Sequence, residues 1–217
     1  MMEKAYDTVI FDMDGTLLDT LEDLKDAVNF TMRQYGLPEH SLEEVRNFVG
    51  NGVRRLLQLS VPGGEEHDAF EGIVKTFRSY YKDHCMDKTA PYAGIMELLR
   101  DLKREGYAMA IVSNKLDSAV KALNREHFGD LVEVAIGETE GVARKPAPDM
   151  IEKALRELGK TKDAAVYVGD SEVDLATAKN AGLPCISVLW GFREREFLAQ
   201  RGAKRFAAVP EEVKYYL

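Results

Sequence analysis

Apolar positions follow two different rhythms along the chain. Residues 8 to 12, with Val9, Ile10 and Phe11 running straight into Asp12, read as a buried strand, whereas residues 20 to 84 carry four helical patterns and no strand. Thr20 with Asp23 has the form of a capping box, and Leu24, Val28 and Met32 follow on one helical face until Gly36 and Pro38 stop the helix. Ser41 with Glu44 repeats the device ahead of Val45, Phe48 and Val49. A short third helix follows Gly50-Asn51-Gly52 at Leu56 and Leu57, and a fourth carries Phe70, Ile73, Val74 and Phe77.

From Pro91 the rhythm changes to helices alternating with apolar runs. Ile95, Leu98, Leu99 and Leu102 mark a helix, and a strand is expected at 107–112. Helices at 117–126, at 148–158 (closed by Gly159) and up to Ala181 then alternate with strands at 131–136, 164–169 and 184–189. Strands joined by helices of this length need right-handed crossovers and a sheet covered on both faces. The predicted fold is α/β: a Rossmann-like parallel sheet with helices on both faces, formed by residues 1–15 and 86–217. An α-helical domain of four helices, residues 16–85, is inserted after the first strand.

Composition adds mainly exclusions. The chain has 217 residues and a net charge of −8, so it lacks the basic footprint that drives nucleic-acid binding. No apolar run is long enough for a membrane span and the first ten residues lack a signal layout, so the expected setting is cytoplasmic, with neither membrane nor nucleic acid as partner. The oligomeric state is not legible. Cys85 and Cys185 have no metal-type spacing, and the four histidines form no cluster.

Chemistry collects where ligands bind in open parallel sheets, beyond the carboxyl ends of the strands. The first strand ends in Asp12-Met13-Asp14, the second in Ser113-Asn114-Lys115, and the strand at 164–169 in Gly169-Asp170-Ser171 with Asp174 one helical turn on. Lys145 precedes the helix at 148. Taken singly, Ser113 and Asn114 could cap a helix, Lys145 could be a solvated loop charge, and Asp170 with Asp174 could suit a helix dipole. Together they converge on one sheet edge. Asp12 and Asp14, two apart in extended chain, share a face and repel unless a cation or a proton intervenes. Asp12, Asp14 and Asp170 offer hard oxygen donors without imidazole or thiolate, which suits Mg²⁺, and Lys145 and Ser113 are donors for phosphate oxygens. The set points to phosphoryl chemistry on a small phosphorylated metabolite.

The motifs DMDGT, Ser113 at a strand end, Lys145 in KPAPD and GDSEVD resemble those of haloacid dehalogenase superfamily hydrolases, and the order of elements is similar to the phosphoglycolate phosphatase branch. The resemblance implies Asp12 as nucleophile, Asp14 as acid and base with its carbonyl on Mg²⁺, and Asp170 as a further metal ligand. It implies that Asp174 acts through water or by orienting Lys145, that Ser113 and Lys145 bind phosphate, that Asn114 orients Asp12, and that the helical insertion is a cap. Within the cap, Arg54 or Arg55 after Gly50-Asn51-Gly52 could form an anion site for substrate or simply a solvated face. Related readings remain: a sugar phosphomutase or a pyrophosphatase of the same superfamily. A receiver-like phospho-acceptor module is the alternative from another class, although receivers lack the inserted helices and the acid two residues after the acceptor.

Overall fold

In the computed structural model, which describes residues 5–217, strand β1 (Thr8–Phe11) turns Val9 and Phe11 into one apolar cluster and Ile10 into another. Strand β4 (Ala108–Leu116) splits in the same way, with Met109 and Ile111 on one side and Ala110 and Val112 on the other. Period-two alternation with both faces apolar is what a helix-covered parallel sheet requires. The remaining strands of this sheet are β5 (Val134–Glu138), β6 (Ala165–Gly169), β7 (Cys185–Val188) and β8 (Phe206–Ala207). Their order is β5-β4-β1-β6-β7-β8, with parallel pairing throughout. The order reverses at β1, so Asp12 leaves the sheet at its switch point.

The first unit comprises the chain up to Leu18 together with Pro91–Leu217, and the second is Asp19–Ala90. The first crossing falls after Leu18 rather than after 15, with Leu17 and Leu18 packed in the first unit's core, and the second falls after Ala90 rather than after 85. Two short strands, β2 (Leu18–Asp19) and β3 (Ala90–Pro91), pair with each other. Around the large sheet lie α5 (Ile95–Arg104), α6 (Asp117–His127), α7 (Asp149–Leu158), α8 (Glu172–Ala181) and α9 (Arg195–Gln200). The helix α9 and strand β8 were not expected, and β5 starts three residues later than the apolar run because Gly129–Leu131 forms a 3₁₀ turn. Among the described residues no helix is long and apolar enough to cross a membrane.

The second unit contains α1 (Leu21–Gln34), α2 (Leu42–Phe48), α3 (Gly52–Ser60) and α4 (Phe70–His84), and buries Val28, Met32, Val45, Leu57, Ile73 and Phe77. Ser41 and Glu44 form the expected capping box of α2. Thr20 and Asp23 do not, since Thr20 makes no side-chain cap hydrogen bond. The Asp23 carboxylate instead accepts from the backbone of Lys88 and Thr89 and from Thr89 Oγ1, at 2.8 to 3.1 Å. It satisfies three donors at the far end of the unit rather than one at its own helix start. Cys85 and Cys185 are free, as expected.

Candidate active site

The site is assembled at the carboxyl ends of four strands: the turns after β1 and β6, the last residues of β4, which hold Ser113, Asn114 and Lys115, and the loop after β5 that carries Lys145. Past β1 the ladder continues for one residue, with Asp12 N donating to Val168 O at 2.9 Å, and the chain then wraps around Met13 O, which accepts from the amides of Thr16, Leu17 and Leu18. Gly15 makes this turn at φ +81, and a Cβ there would lie 2.5 Å from Asp170 Oδ2. Only glycine meets both conditions. The register of β1 on β4 sets Phe11 opposite Ile111, so the residues beyond each strand's apolar run emerge side by side.

Asp12 is fixed through one oxygen: Oδ1 accepts from Met13 N at 2.7 Å and lies 2.8 Å from Lys145 Nζ, and neither contact engages Oδ2. Lys145 is almost wholly enclosed. Its ammonium also lies 2.8 Å from Asp174 Oδ1 and donates to the Tyr167 hydroxyl at 3.2 Å. Asp174 has both oxygens in use, because Oδ2 accepts from the Ser171 amide and hydroxyl in the capping box that opens α8, and Oδ1 accepts from Tyr167 as well as Lys145. One carboxylate thus caps a helix and aims a lysine. The Asn114 amide donates to Lys145 O at 3.1 Å, so its recorded contact steadies the Lys145 loop.

Asp170 accepts from Phe192 N at 2.7 Å and from Thr16 Oγ1 at 3.3 Å. Asp14 turns away from the other acids: its Oδ1 lies 2.7 Å from Lys115 Nζ and its Oδ2 accepts from Ser113 Oγ at 3.5 Å. The cluster of carboxylate oxygens within 4.8 Å of one another therefore consists of Asp12, Asp170 and Asp174, and the Asp14 side chain stands outside it. Arg54 is 3.0 Å from Glu65 and 2.8 Å from Glu71, and Arg55 donates to Gln58 at 2.6 Å, so both arginines are engaged inside the helical unit.

Crowding of like charges shapes the titration. Burial, with Asp174 and Asp170 nearby, pushes the Asp12 carboxyl well above the usual carboxylate range, and Lys145 only partly opposes this. Asp170 is raised to about 7 by burial and by Asp174. Burial would raise Asp174 too, but Lys145 and the capping hydrogen bonds hold it below its ordinary value. Burial works against the Lys145 charge, yet Asp12 and Asp174 outweigh it and keep the ammonium protonated. Three buried carboxylates stand close together while Lys145 contacts two of them, Asp12 and Asp174, an all-oxygen set with excess negative charge. That chemistry fits a hard divalent cation, and Asp12 and Asp170 are the carboxylates not already consumed on both oxygens by capping and lysine contacts.

Tyr167 and Lys115 had been given no role from the sequence. Nothing marked Tyr167 within an apolar strand. Lys115 did carry a signal, since it stands two residues from Ser113 and shares its face in extended chain, the same spacing that singled out Asp12 and Asp14.

A family model of haloacid dehalogenase-like hydrolases matches residues 9–188, from β1 through β7. The chain belongs to the haloacid dehalogenase-like hydrolases. This hydrolase is 35% identical over 189 residues to a phosphoglycolate phosphatase of Aquifex aeolicus, covering 85% of each chain. Among solved structures it is similar to a putative phosphoglycolate phosphatase from Lactobacillus delbrueckii subsp. bulgaricus, with a TM-score of 0.94, 36% identity and coverage of 98% of this chain and 99% of that one. CbbY from Rhodobacter sphaeroides, solved in complex with phosphate, aligns with a TM-score of 0.78 at 28% identity over 96% of each chain. The enzyme is thus phosphoglycolate phosphatase-like in both sequence and fold.

Proposed function

We propose that this hydrolase is a Mg²⁺-dependent phosphatase of small phosphate monoesters, phosphoglycolate foremost, working through an aspartyl phosphate on Asp12, with residues 19–90 as its cap domain. The observation that carries this reading is the pairing of two acids in opposite settings: Asp12 held against Lys145 through Oδ1, and Asp14 held apart beside Ser113 and Lys115. That difference supports a bond-forming role for Asp12 and a proton-moving role for Asp14.

Asp12 Oδ2, which the Met13 and Lys145 contacts leave to the substrate side, attacks phosphorus and the bond to the ester oxygen breaks. Asp14 in its protonated form delivers a proton to that oxygen, so the alcohol departs neutral; the resulting carboxylate then takes a proton from the water that attacks the acyl phosphate. Lys145, beside Asp12, offsets negative charge on the phosphoryl oxygens, and Ser113 donates to another of them. Asp174 and Tyr167 position Lys145, and Asn114 anchors its loop. Asp12, Asp170 and the Asp14 carbonyl would hold Mg²⁺, which supplies positive charge for the phosphate oxygens. Arg54, held by Glu65 and Glu71, serves the helical unit in this reading.

The test is phosphate release from phosphoglycolate with and without a chelator, combined with acid-quenched trapping of labelled enzyme. Activity that disappears with chelator, returns with Mg²⁺ and leaves label on Asp12 supports the reading. Undiminished turnover in chelator, or transfer between sugar 1- and 6-phosphates faster than phosphate release, would overturn it.

A further inference from the structure

The pairing of β1 with β6 stops at Asp12, whose amide donates to Val168 O. Beyond that point the turn at 12–16 and Asp170 both leave the sheet and need another restraint. Thr16 Oγ1 on Asp170 Oδ1 is a direct link, but at 3.3 Å it is a long one. The loop after β7 supplies a second. Trp190 Nε1 donates to Thr16 O at 2.9 Å, and Phe192 N donates to Asp170 Oδ2 at 2.7 Å. Donors two residues apart on one loop thus hold the turn and the carboxylate. Between them, Gly191 passes so close that a Cβ on it would lie 2.3 Å from Gly15 O and 2.4 Å from Asp170 Cβ. No side chain fits there.

The loop is itself fixed from both ends. Trp190 packs against the apolar cluster that contains Val188, Phe192 is buried, and Arg193 Nε lies 3.0 Å from Glu172 Oε2 at the start of α8. No step of the phosphatase reaction uses these residues. An indole donor aimed at a main-chain carbonyl serves placement rather than chemistry.

We propose that Trp190, Gly191 and Phe192 are positioning residues for the divalent cation: they set the spacing between the 12–16 turn and Asp170, and that spacing favours Mg²⁺ over the larger Ca²⁺. This rests on the metal-dependent reading above and assigns the selectivity to a loop that carries no ligand. Mg²⁺ demands near-ideal octahedral geometry with short bonds, whereas Ca²⁺ accepts longer bonds and irregular spheres, so the rigidity of the donor set discriminates between them. The groups that would hold the ion come from the β1 turn and from the end of the neighbouring strand β6. A shift of the turn against Asp170 therefore changes their spacing. Residues that fix ligands from outside typically contribute about 10- to 100-fold to metal affinity.

The experiment titrates Mg²⁺ and Ca²⁺ calorimetrically into the metal-free wild-type enzyme, Trp190→Phe and Gly191→Ala. Trp190→Phe keeps an aromatic ring in the apolar cluster and removes only the indole N–H, so it tests the contact even where Gly191→Ala fails to fold. Mg²⁺ affinity should fall by roughly 10-fold in Trp190→Phe and by up to roughly 100-fold in Gly191→Ala, where the new Cβ must push Gly15 away from Asp170. Ca²⁺ affinity should fall less, so the Mg²⁺-to-Ca²⁺ ratio drops in both variants. Ser60→Ala removes a buried hydrogen bond to Leu56 O in the helical unit and should lower Tm while leaving both affinities unchanged. Mg²⁺ affinity equal to wild type in Trp190→Phe, or Mg²⁺ and Ca²⁺ weakened by the same factor, would overturn the proposal. A wild-type enzyme that binds no Mg²⁺ would overturn the metal-dependent reading with it. If the ratio drops as expected but the Mg²⁺-loaded wild type leaves phosphoglycolate intact, the role of the loop stands and the phosphoglycolate assignment falls.

Discussion

Replacing Asp170 by Asn separates what this carboxylate does for catalysis from what it costs the fold. The side chain is 1% exposed, with one oxygen on Phe192 N and the other on Thr16 Oγ1. Asn can keep both contacts, because its carbonyl accepts from the amide and its NH₂ donates to the hydroxyl. Only the charge is lost. Burial and the neighbouring Asp174 raise the Asp170 carboxyl from 3.8 to about 7. The folded value thus lies above the unfolded one, so the folded chain binds the extra proton in that interval; the associated stability is complete below about pH 3.8 and is lost as pH rises through about 7. At about 1.4 kcal/mol per pH unit, the loss between about pH 5 and pH 8 comes to roughly 3 kcal/mol.

Asn does not titrate. Without divalent cation, the stability of Asp170→Asn relative to wild type should therefore grow more favourable by roughly 3 kcal/mol between about pH 5 and about pH 8. For a chain of this size that widens the gap in Tm by roughly 6–12 °C. Mg²⁺ at about a hundredfold its Kd should return about 2.7 kcal/mol to wild type and nothing comparable to the variant. Calorimetric scans at the two pH values, in chelator and in Mg²⁺, read all of this. A difference that stays flat with pH would refute the electrostatic account of Asp170, and an equal Mg²⁺ shift in both proteins would remove Asp170 from the metal site.

Asp12→Asn should abolish both turnover and phosphoenzyme. Asp14→Asn should slow turnover by about 10²–10⁴-fold while an aryl phosphate, whose leaving group needs no proton, still loads the enzyme; acid-quench labelling distinguishes them, and identical behaviour would reject the division of roles. Asp23→Ala should leave the donors of Lys88 and Thr89 without their acceptor, lowering unfolding free energy by roughly 2–4 kcal/mol in a urea titration with kcat little changed. A stability within experimental error of wild type would show that water replaces the carboxylate there.

Particular residues show how far the chain could be read in one dimension. Alternation at Val9, Ile10 and Phe11 and the repeated strand-helix spacing after Pro91 already specified a two-faced parallel sheet, because burial on both sides leaves no other pattern for short apolar runs. That sheet in turn brought Asp12, Ser113, Lys145 and Asp170 to one edge, since the carboxyl ends of parallel strands all point the same way. Local chemistry was legible for the same reason at Ser41 and Glu44, whose hydrogen bonds close within three residues.

Partners far apart in sequence were not legible. Asp23 had an equally good local use at its own helix start, and only folding of the helical unit brings Thr89, 66 residues away, to its carboxylate. Tyr167 looked like one more apolar strand residue until α8 and the Lys145 loop set two polar groups against its hydroxyl. Asp14 and Lys115 are 101 residues apart. Their residue types and faces are written in the chain, but their meeting is decided by the register of β1 on β4, a property of two strands together that neither strand's own sequence contains.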